Sequence, residues 1–485
     1  MPIIPSGIPQ GLANLIQTNM LSRVLKESLN AEARYRADAV PDLLAPATGQ
    51  TKTWNRLGKF DVDLRPAAPV GAVSRGSYTA EQFTANPRPY AKSFDIDAPT
   101  AYVQSGDYTM QGLTRLGAWA GLTSSRIARS KLFQYCGGQT VIRRAQIIAD
   151  TVLLVDSCAG FRFAYVNGQP TAVSSASPLP ITIVAATTFP ASVTGVTALD
   201  PDFPDGPGQL TISAGLTAVV AAQSYVYATG AAPFIVRPNA RASTEALTAT
   251  DIPTLTDILK MKAKLRDQGI PAHQVDGTYH LHVDAWFFQM VTQDTAWRQA
   301  FQTQGMSPIF GAGSMFSPGL GLTIIENNDS PANGKGKTLS VGSATATVGA
   351  VGSPGSAIQL QDNGIPVVNS SGVIVRRAIM TGYEVLVESY IDEMQYIAMM
   401  GGTQIAQISA NLATYQIGAQ MVVAGNVDRW RILIRPPVDE RSLVATVTVS
   451  NTFDFVLSSD SFAISDSSDA RPLKRAVVLE HGALY

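Results

Sequence analysis

Cysteine is almost missing. Cys136 and Cys158 are the only two in 485 residues, too few for the disulfide framework of a secreted scaffold and suited to a reducing compartment. Charge is sparse as well. Asp, Glu, Lys and Arg make up 15% of the chain, low for a protein that meets water on all sides, which implies surface hidden in contacts. The two signs nearly cancel at a formal net charge of −1, so no global basic field exists to draw in nucleic acid. No uninterrupted apolar run reaches the ~18 residues of a membrane helix. The start, MPIIPSGIPQGLANLIQ, lacks the basic and apolar regions of a signal peptide.

Signatures of catalysis are wanting too. Gly336-Lys337-Thr338 is similar to the end of a phosphate-binding loop, but the first glycine would fall at Pro331 and the residues that follow read as strand. Without a helix N-terminus a phosphate has no cluster of N–H donors. Asp200, Asp202 and Asp205 depart from the EF-hand spacing, with Thr211 where the bidentate Glu belongs, and read as a turn between strands. His280 and His282 share one face of an expected strand, yet His273 and His481 are the only other imidazoles, and a closed metal site needs about four ligands. No G-x-S-x-G elbow occurs, and neither cysteine has a partner for nucleophilic catalysis. The expectation is a protein that is not an enzyme, with no catalytic, cofactor or metal site.

What the chain does have is β-forming and turn-forming sequence, with 45% hydrophobic residues, 40 Gly and 29 Pro, over a length that suits ~3 domains. Leu12, Leu15, Ile16, Met20, Val24 and Leu29 predict a helix within 11–36, one that either docks on its own subunit or reaches a neighbour. From Gln50 to Pro99 runs an extended, mixed-charge arm. Arg56, Lys59, Arg65, Arg75, Arg88 and Lys92 interleave with Asp61, Asp63, Glu81, Asp95 and Asp97. It has too few clustered apolar residues to repay its own ordering entropy, so it is expected to find its order on a neighbouring subunit. Alternating signs suit salt bridges that set register between subunits; a surface that tracks phosphates would accumulate one sign. A long amphipathic helix follows over Tyr108–Tyr135, stopped by Gly137-Gly138. Between 148 and 233 charges nearly vanish and short β runs alternate with turns, which predicts an inserted antiparallel barrel or sandwich. Then come a helix capped by Thr254, the strand TYHLHV, a helical pair, the strand LTIIEN, a Gly/Ser-rich insert at 333–371, and β-rich sequence to the end, in which NVDRWRILIR reads as one alternating strand.

In its order of elements the chain resembles the major capsid proteins of tailed bacteriophages, whose shared fold is named after phage Hong Kong ninety-seven. SRGSYTAEQFTANPRPYAKSFDIDAP followed by QGLTRLGAWAGLTSSRIARSKLFQY resembles an extended E-loop returning into the spine helix of a P-domain. DIPTLTDILKMKAKLRDQGIP through GLGLTIIEN resembles an A-domain, and RPLKRAVVLE a late P-domain strand. The resemblance implies an α+β fold in this order: N-terminal arm 1–48, E-loop 49–98, P-domain with spine helix 99–147, inserted β domain 148–233, A-domain 234–332, small β insertion 333–371, A-domain again 372–425, and P-domain strands 426–485. It implies an icosahedral shell of hexamers and pentamers around double-stranded DNA, so the chain's main partner would be itself. Portal and scaffolding proteins would join it, with a decoration protein as a further partner, and DNA would touch the inner face non-specifically. Its place would be the virion, assembled in the bacterial host cytoplasm, with no membrane. The candidate inter-subunit contacts are Trp54, Arg56, Lys59, Arg65, Arg75, Glu81, Arg88 and Asp95. Part of this family links subunits through lysine and asparagine; Lys52, Lys59, Lys92 and Asn426 are the available groups, but no carboxylate stands out to take the lysine proton, so a non-covalent shell is expected. Two alternatives stay open: an encapsulin-type compartment shell, and a β-rich carbohydrate-binding module or enzyme, which would need a polar pocket that the sequence does not display.

Overall fold

The computed structural model describes residues 20–45, 49, 51–57, 80–97, 108–135, 137–166, 169–185, 188–198, 204–222, 224–229, 234–303, 315–316, 320–327, 369, 373–392, 415–417, 421–435, 444–458 and 475–483. The chain is a mixed α and β protein, rich in strand. It divides into two compact units. The smaller comprises Met1–Trp54, Gln82–Ala128 and Leu386–Leu457; the larger comprises Asn55–Glu81, Arg129–Val385 and Ser458–Tyr485.

In chain order the first elements are helix α1 (Met20–Glu32), strands β1 (Ala39–Leu43), β2 (Lys52–Leu57), β3 (Ala80–Ala85) and β4 (Arg88–Asp97), and helix α2 (Tyr108–Phe133). At 26 residues α2 is about 39 Å long. It covers the span that its apolar spacing predicts, and Leu113, Leu116, Ala120 and Leu132 of that face are buried.

Next come β5 (Gln139–Val141), β6 (Val152–Val155), β7 (Phe163–Val166), β8 (Gln169–Ala172), β9 (Leu179–Val184), β10 (Thr188–Ala198), β11 (Gly208–Ile212) and β12 (Tyr225–Ala228). Six of them form an antiparallel sheet in the order β5-β12-β9-β10-β11-β6, and β7 pairs with β8 as a ribbon. The sheet closes on itself. Ile142, just past β5, bridges Val155 of β6, Arg143 N donates to Leu154 O at 2.8 Å and Asp156 N to Val141 O at 3.0 Å. Of barrel and sandwich the structure therefore chooses the barrel, with Leu153, Phe161, Ile183, Val193, Leu210 and Val226 filling its core. Its first strand begins at Gln139, nine residues before the boundary read from composition. Arg143 and Arg144 hid that strand, because charged residues there interrupt the apolar texture.

The larger unit continues with β13 (Ile235–Val236), α3 (Leu255–Asp267), β14 (Tyr279–Val283), α4 (Ala285–Val291), α5 (Thr295–Thr303), β15 (Met315–Phe316), β16 (Leu322–Glu326) and β17 (Ile374–Thr381). The start of α3 is as its sequence dictates: Thr254 accepts from Asp257 N. The insert at 333–371 lies outside the described residues except for Asn369, which donates to Leu247 O at 2.7 Å.

The last strands are β18 (Leu386–Ile391), β19 (Tyr415–Ile417), β20 (Met421–Val427), β21 (Trp430–Arg435), β22 (Val444–Leu457) and β23 (Ala476–Ala483). They are shared between the units. In the smaller unit the sheet runs β1-β18-β22-β21-β20-β19, and β4 pairs with β22. In the larger it runs β13-β23-β17-β14-β16-β15. The chain thus leaves the larger unit at Val385 rather than at 426, because β18 lies in register with β22 over Leu386–Ile391 and parallel to β1. Nor does the final strand join those from 426 onward. β23 pairs with β17 over eight residues and with β13.

Strand β17 is buried along its whole length although it carries two arginines. Each meets a carboxylate. Arg376 Nη1 donates to Asp284 at 2.6 Å, and Arg377 Nη2 to Glu480 at 2.7 Å. Glu480 also accepts from Arg237 at 2.8 Å and Thr244 at 2.9 Å. Burial pushes its carboxyl pKa upward, but the two guanidinium charges and these hydrogen bonds outweigh that and hold it below the usual range.

Candidate functional site

The ribbon of β2 and β3 and the long helix α2 fall mainly in the smaller unit, while Asn55–Glu81 and the end of α2 from Arg129 belong to the larger. Helix α1 lies on α2 with no room to spare. A Cβ at Gly117 would come within 1.8 Å of Ser28 Oγ, and one at Gly121 within 2.5 Å of Leu29 O. Four residues apart, these glycines share one face of the helix and admit the backbone of α1. Leu25 and Leu29 are fully buried, and Tyr35 N donates to Ser125 Oγ at 3.3 Å. Of the two roles open to the N-terminal helix, residues 20–32 take the docked one. Residues 11–19 lie outside the described residues.

Strands β2 and β3 form a two-stranded sheet that no other described strand joins. Its base is pinned by Trp54. The indole stacks on Phe83 with ring centroids 5.4 Å apart and donates to Asp42 of β1 at 2.6 Å. Lys52 pairs with Asp42 at 2.6 Å and lies 5.6 Å from the Trp54 ring centroid. Thr53, Asn55, Gln82 and Thr84 are exposed. A two-stranded ribbon is marginal in water by itself; this one is tethered at its base, and no third strand joins it among the described residues.

Strand β4 behaves differently from the self-avoiding arm that its charges suggest. Ten of its residues pair with β22 of the same chain. Its even-numbered residues share one face: Tyr90 lies 4.9 Å from Phe453, Phe94 against Gly112 and Ile96 is buried, while Lys92, 5.7 Å from the Trp119 ring, is exposed. Pro89, Ala91, Ser93 and Asp95 face out and are exposed. The alternation of charged and apolar residues is therefore that of a half-buried strand.

Among the candidate contact residues, Trp54 is committed within its own subunit. Arg56 and Glu81 sit in β2 and β3. Arg88 lies on the inward face of β4, and Asp95 lies on the outward face, where it accepts from Thr446 at 2.7 Å. Lys59, Arg65 and Arg75 lie outside the described residues.

A second feature of this unit gave no signal as a site. The stretch NVDRWRILIR is a hairpin, with Val427 opposite Trp430 and a two-residue turn at Asp428 (φ 46°) and Arg429 (φ 74°). Two consecutive left-handed residues make the twist that a tight hairpin prefers, normally with Asn and Gly. Here ion pairs hold the strain: Arg36 Nη1 to Asp428 at 2.8 Å, Arg36 Nη2 to Glu388 at 3.0 Å, and Arg429 to Glu388. Arg36 and Glu388 are both buried, so the segment after α1 is locked to β18 and to the β20–β21 turn. The sequence shows these residues as scattered single charges, 352 positions apart for Arg36 and Glu388.

Neither a protein-family model nor a curated protein matches the chain. Solved structures similar to it are phage capsids. They include the capsid of Ralstonia phage GP4, at 10% identity over 92% of this chain and 87% of that one with a TM-score of 0.45. The Cyanophage Pam1 capsid asymmetric unit is 11% identical over 90% and 85%, with a TM-score of 0.44. The mature capsid of bacteriophage PhiM1 is 9% identical over 93% and 87%, with a TM-score of 0.36.

Proposed function

We propose that the chain is a major capsid protein of the Hong Kong ninety-seven type, self-assembling into an icosahedral shell around the double-stranded DNA of a tailed bacteriophage. One observation carries the reading: a two-stranded ribbon that no further described strand completes, pinned at its base by Trp54 and Asp42 and lying in sequence just before a 26-residue helix on which an N-terminal helix docks. A ribbon so placed gains its missing contacts from a neighbouring copy. The smaller unit then corresponds to the P-domain with most of the spine helix, and the larger, which also holds Asn55–Glu81 of the loop, to the A-domain with an inserted barrel. Arg56, Lys59, Arg65, Arg75 and Glu81 of the loop, and Asp95 on the outer face of β4, are its inter-subunit contacts. Portal and scaffolding proteins, a decoration protein and non-specifically held DNA complete the virion, which is assembled in the host cytoplasm.

The test is expression of the chain, alone and with its neighbouring genes, followed by negative-stain microscopy. Closed shells are expected. Deleting residues 60–77 spares β2, β3 and β4 and should leave soluble, folded subunits that do not close; normal particles from that deletion would refute the role given to the loop that joins β2 to β3. If every preparation of the full chain stays monomeric, the capsid reading fails.

A further inference from the structure

The charges buried around β23 do not balance. On one face of the strand Glu480 is held by Arg377, Arg237 and Thr244. On the other, His481 stands opposite Arg376 in the register of β17 and β23, so the two side chains are neighbours on one face. Arg376 already has its counter-ion in Asp284, the N-cap of α4, at 2.6 Å. Three buried guanidinium groups, of Arg237, Arg376 and Arg377, thus face two buried carboxylates, Asp284 and Glu480. Helix α3 packs on β23 and brings one more cation, the half-buried Lys264, which burial and Arg237 hold below the usual lysine range. Asp251, whose carbonyl accepts from Gly482 N at 3.1 Å, spends its carboxylate on Arg241, Asn239 and Thr248. His481 itself is 1% exposed. It meets the Phe287 ring edge-to-face at 5.6 Å, and its Nδ1 lies 3.4 Å from Gly482 O. Burial lowers its pKa; Asp284 and the Gly482 carbonyl oppose that, Arg376 adds to it, and the balance stays below the usual 6.5.

We propose that the end of β23, from His481 to Ala483, is an acid-operated latch: a proton taken up by His481 opens it from β17, while Glu480 stays in place as its anchor. A charged His481 would set two cations on the single carboxylate of Asp284 in a site closed to water, an arrangement that burial makes costly. Opening hands the imidazolium to water and leaves the Arg376–Asp284 pair intact. The strand is built to open there. On its outer edge β13 pairs only with Val478 and Leu479, so beyond Glu480 no other described strand than β17 is paired with it. Opening stops at Glu480, whose carboxyl is held below the usual 4.5 and keeps both guanidinium partners while His481 titrates. The sign follows from linkage. Stability of the closed end is complete above 6.5 and is lost as pH falls from there to the lower folded value, with the opening constant rising about tenfold per pH unit. The latch is a property of the larger unit and does not depend on the shell reading.

The experiment is hydrogen exchange on the full chain, in whichever state it is obtained at pH 7, repeated at pH 6 and pH 5 with rates corrected for the intrinsic effect of pH. Amides from His481 to Ala483 are expected to lose protection by about tenfold per pH unit below 6.5. Strand β9 of the barrel, β14 with His280 and His282, and Val477–Leu479 on the near side of the anchor should keep theirs. In His481→Gln the loss should vanish. His481→Phe, whose ring can pack on Phe287, is a second neutral variant if the first does not fold; if neither folds, the native chain decides through the same three controls. Four outcomes would each overturn the proposal. They are a parallel loss in β9 or β14, opening that runs back through Glu480 to Val477–Leu479, full protection at pH 5, and the same loss in a chain without the imidazole.

Discussion

Gly117 and Gly121 show how much a single residue decides. In the sequence they are two helix-weakening letters inside a helix, each costing about 1 kcal/mol relative to Ala. Their reason is a second helix whose backbone passes where their Cβ atoms would be, and a partner ninety residues away leaves no local mark. Gly121→Val meets the Leu29 carbonyl, which cannot rotate aside as a side chain can. The expected cost is about 1–3 kcal/mol of overpacking, together with release of α1; protease cleavage between residues 20 and 35 should accelerate while the barrel stays protected. Glu480 supplies the electrostatic counterpart. Glu480→Gln leaves Arg377 and Arg237 buried against a neutral group and should cost about 3–5 kcal/mol in chemical denaturation. The native carboxyl is held below its ordinary 4.5, so its stabilisation is complete above that pH and is lost as pH falls through the lower folded value. His481 adds to this from higher pH: burial holds its imidazole below the usual 6.5, so acidification charges it more readily in the unfolded chain. Denaturation midpoints should begin to fall below about pH 6.5 in both chains through His481, and below about pH 4.5 should fall further in the native chain than in Glu480→Gln. An equal slope in the two below that point would assign the acid sensitivity elsewhere.

At the level of elements, the legible parts were those whose physics is local. Helix α2 followed from its apolar spacing, and α3 from Thr254 and Asp257. Each such signal spans a few residues. What escaped depends on distant pairing. Strand β4 looked like a free arm because β22, its partner, lies more than 350 residues on; the β20–β21 turn was invisible because Asp-Arg is an unusual turn sequence stabilised by Arg36 and Glu388. Strand β5 escaped because closure of the barrel needs only three residues and one bridge. That closure gives a direct prediction. Residues 139–229 expressed alone should fold cooperatively, with dispersed amide signals, because every strand of the six-stranded barrel then has both neighbours. Residues 148–233 lack β5 and the bridge at Ile142, leaving β6 and β12 with open edges, and should melt earlier or aggregate. If both fragments give the same melting curve, β5 is dispensable and the barrel is effectively an open sheet.

For the whole molecule the question is what holds copies together, and the lysines bear on it. Lys52 is committed to Asp42 and to the Leu43 carbonyl, and the exposed Lys92 lies over the Trp119 ring. Asn426 sits in the β20–β21 hairpin opposite Arg431. A lysine attacks an amide only as the neutral amine, which requires a nearby carboxylate or strong desolvation to shed a proton near pKa 10.4. Lys52 is held instead in an ion pair with Asp42 at 2.6 Å. Of the candidate crosslinking lysines, the two in described segments thus have contacts within their own chain, and strength in the proposed shell would come from many weak contacts that close cooperatively. Particles boiled in detergent should then run as one band at the 51.4 kDa chain mass. A ladder of covalent multimers would show that a lysine other than Lys52 and Lys92 reacts, and replacing Lys59 by Arg would be the first substitution to try in collapsing it.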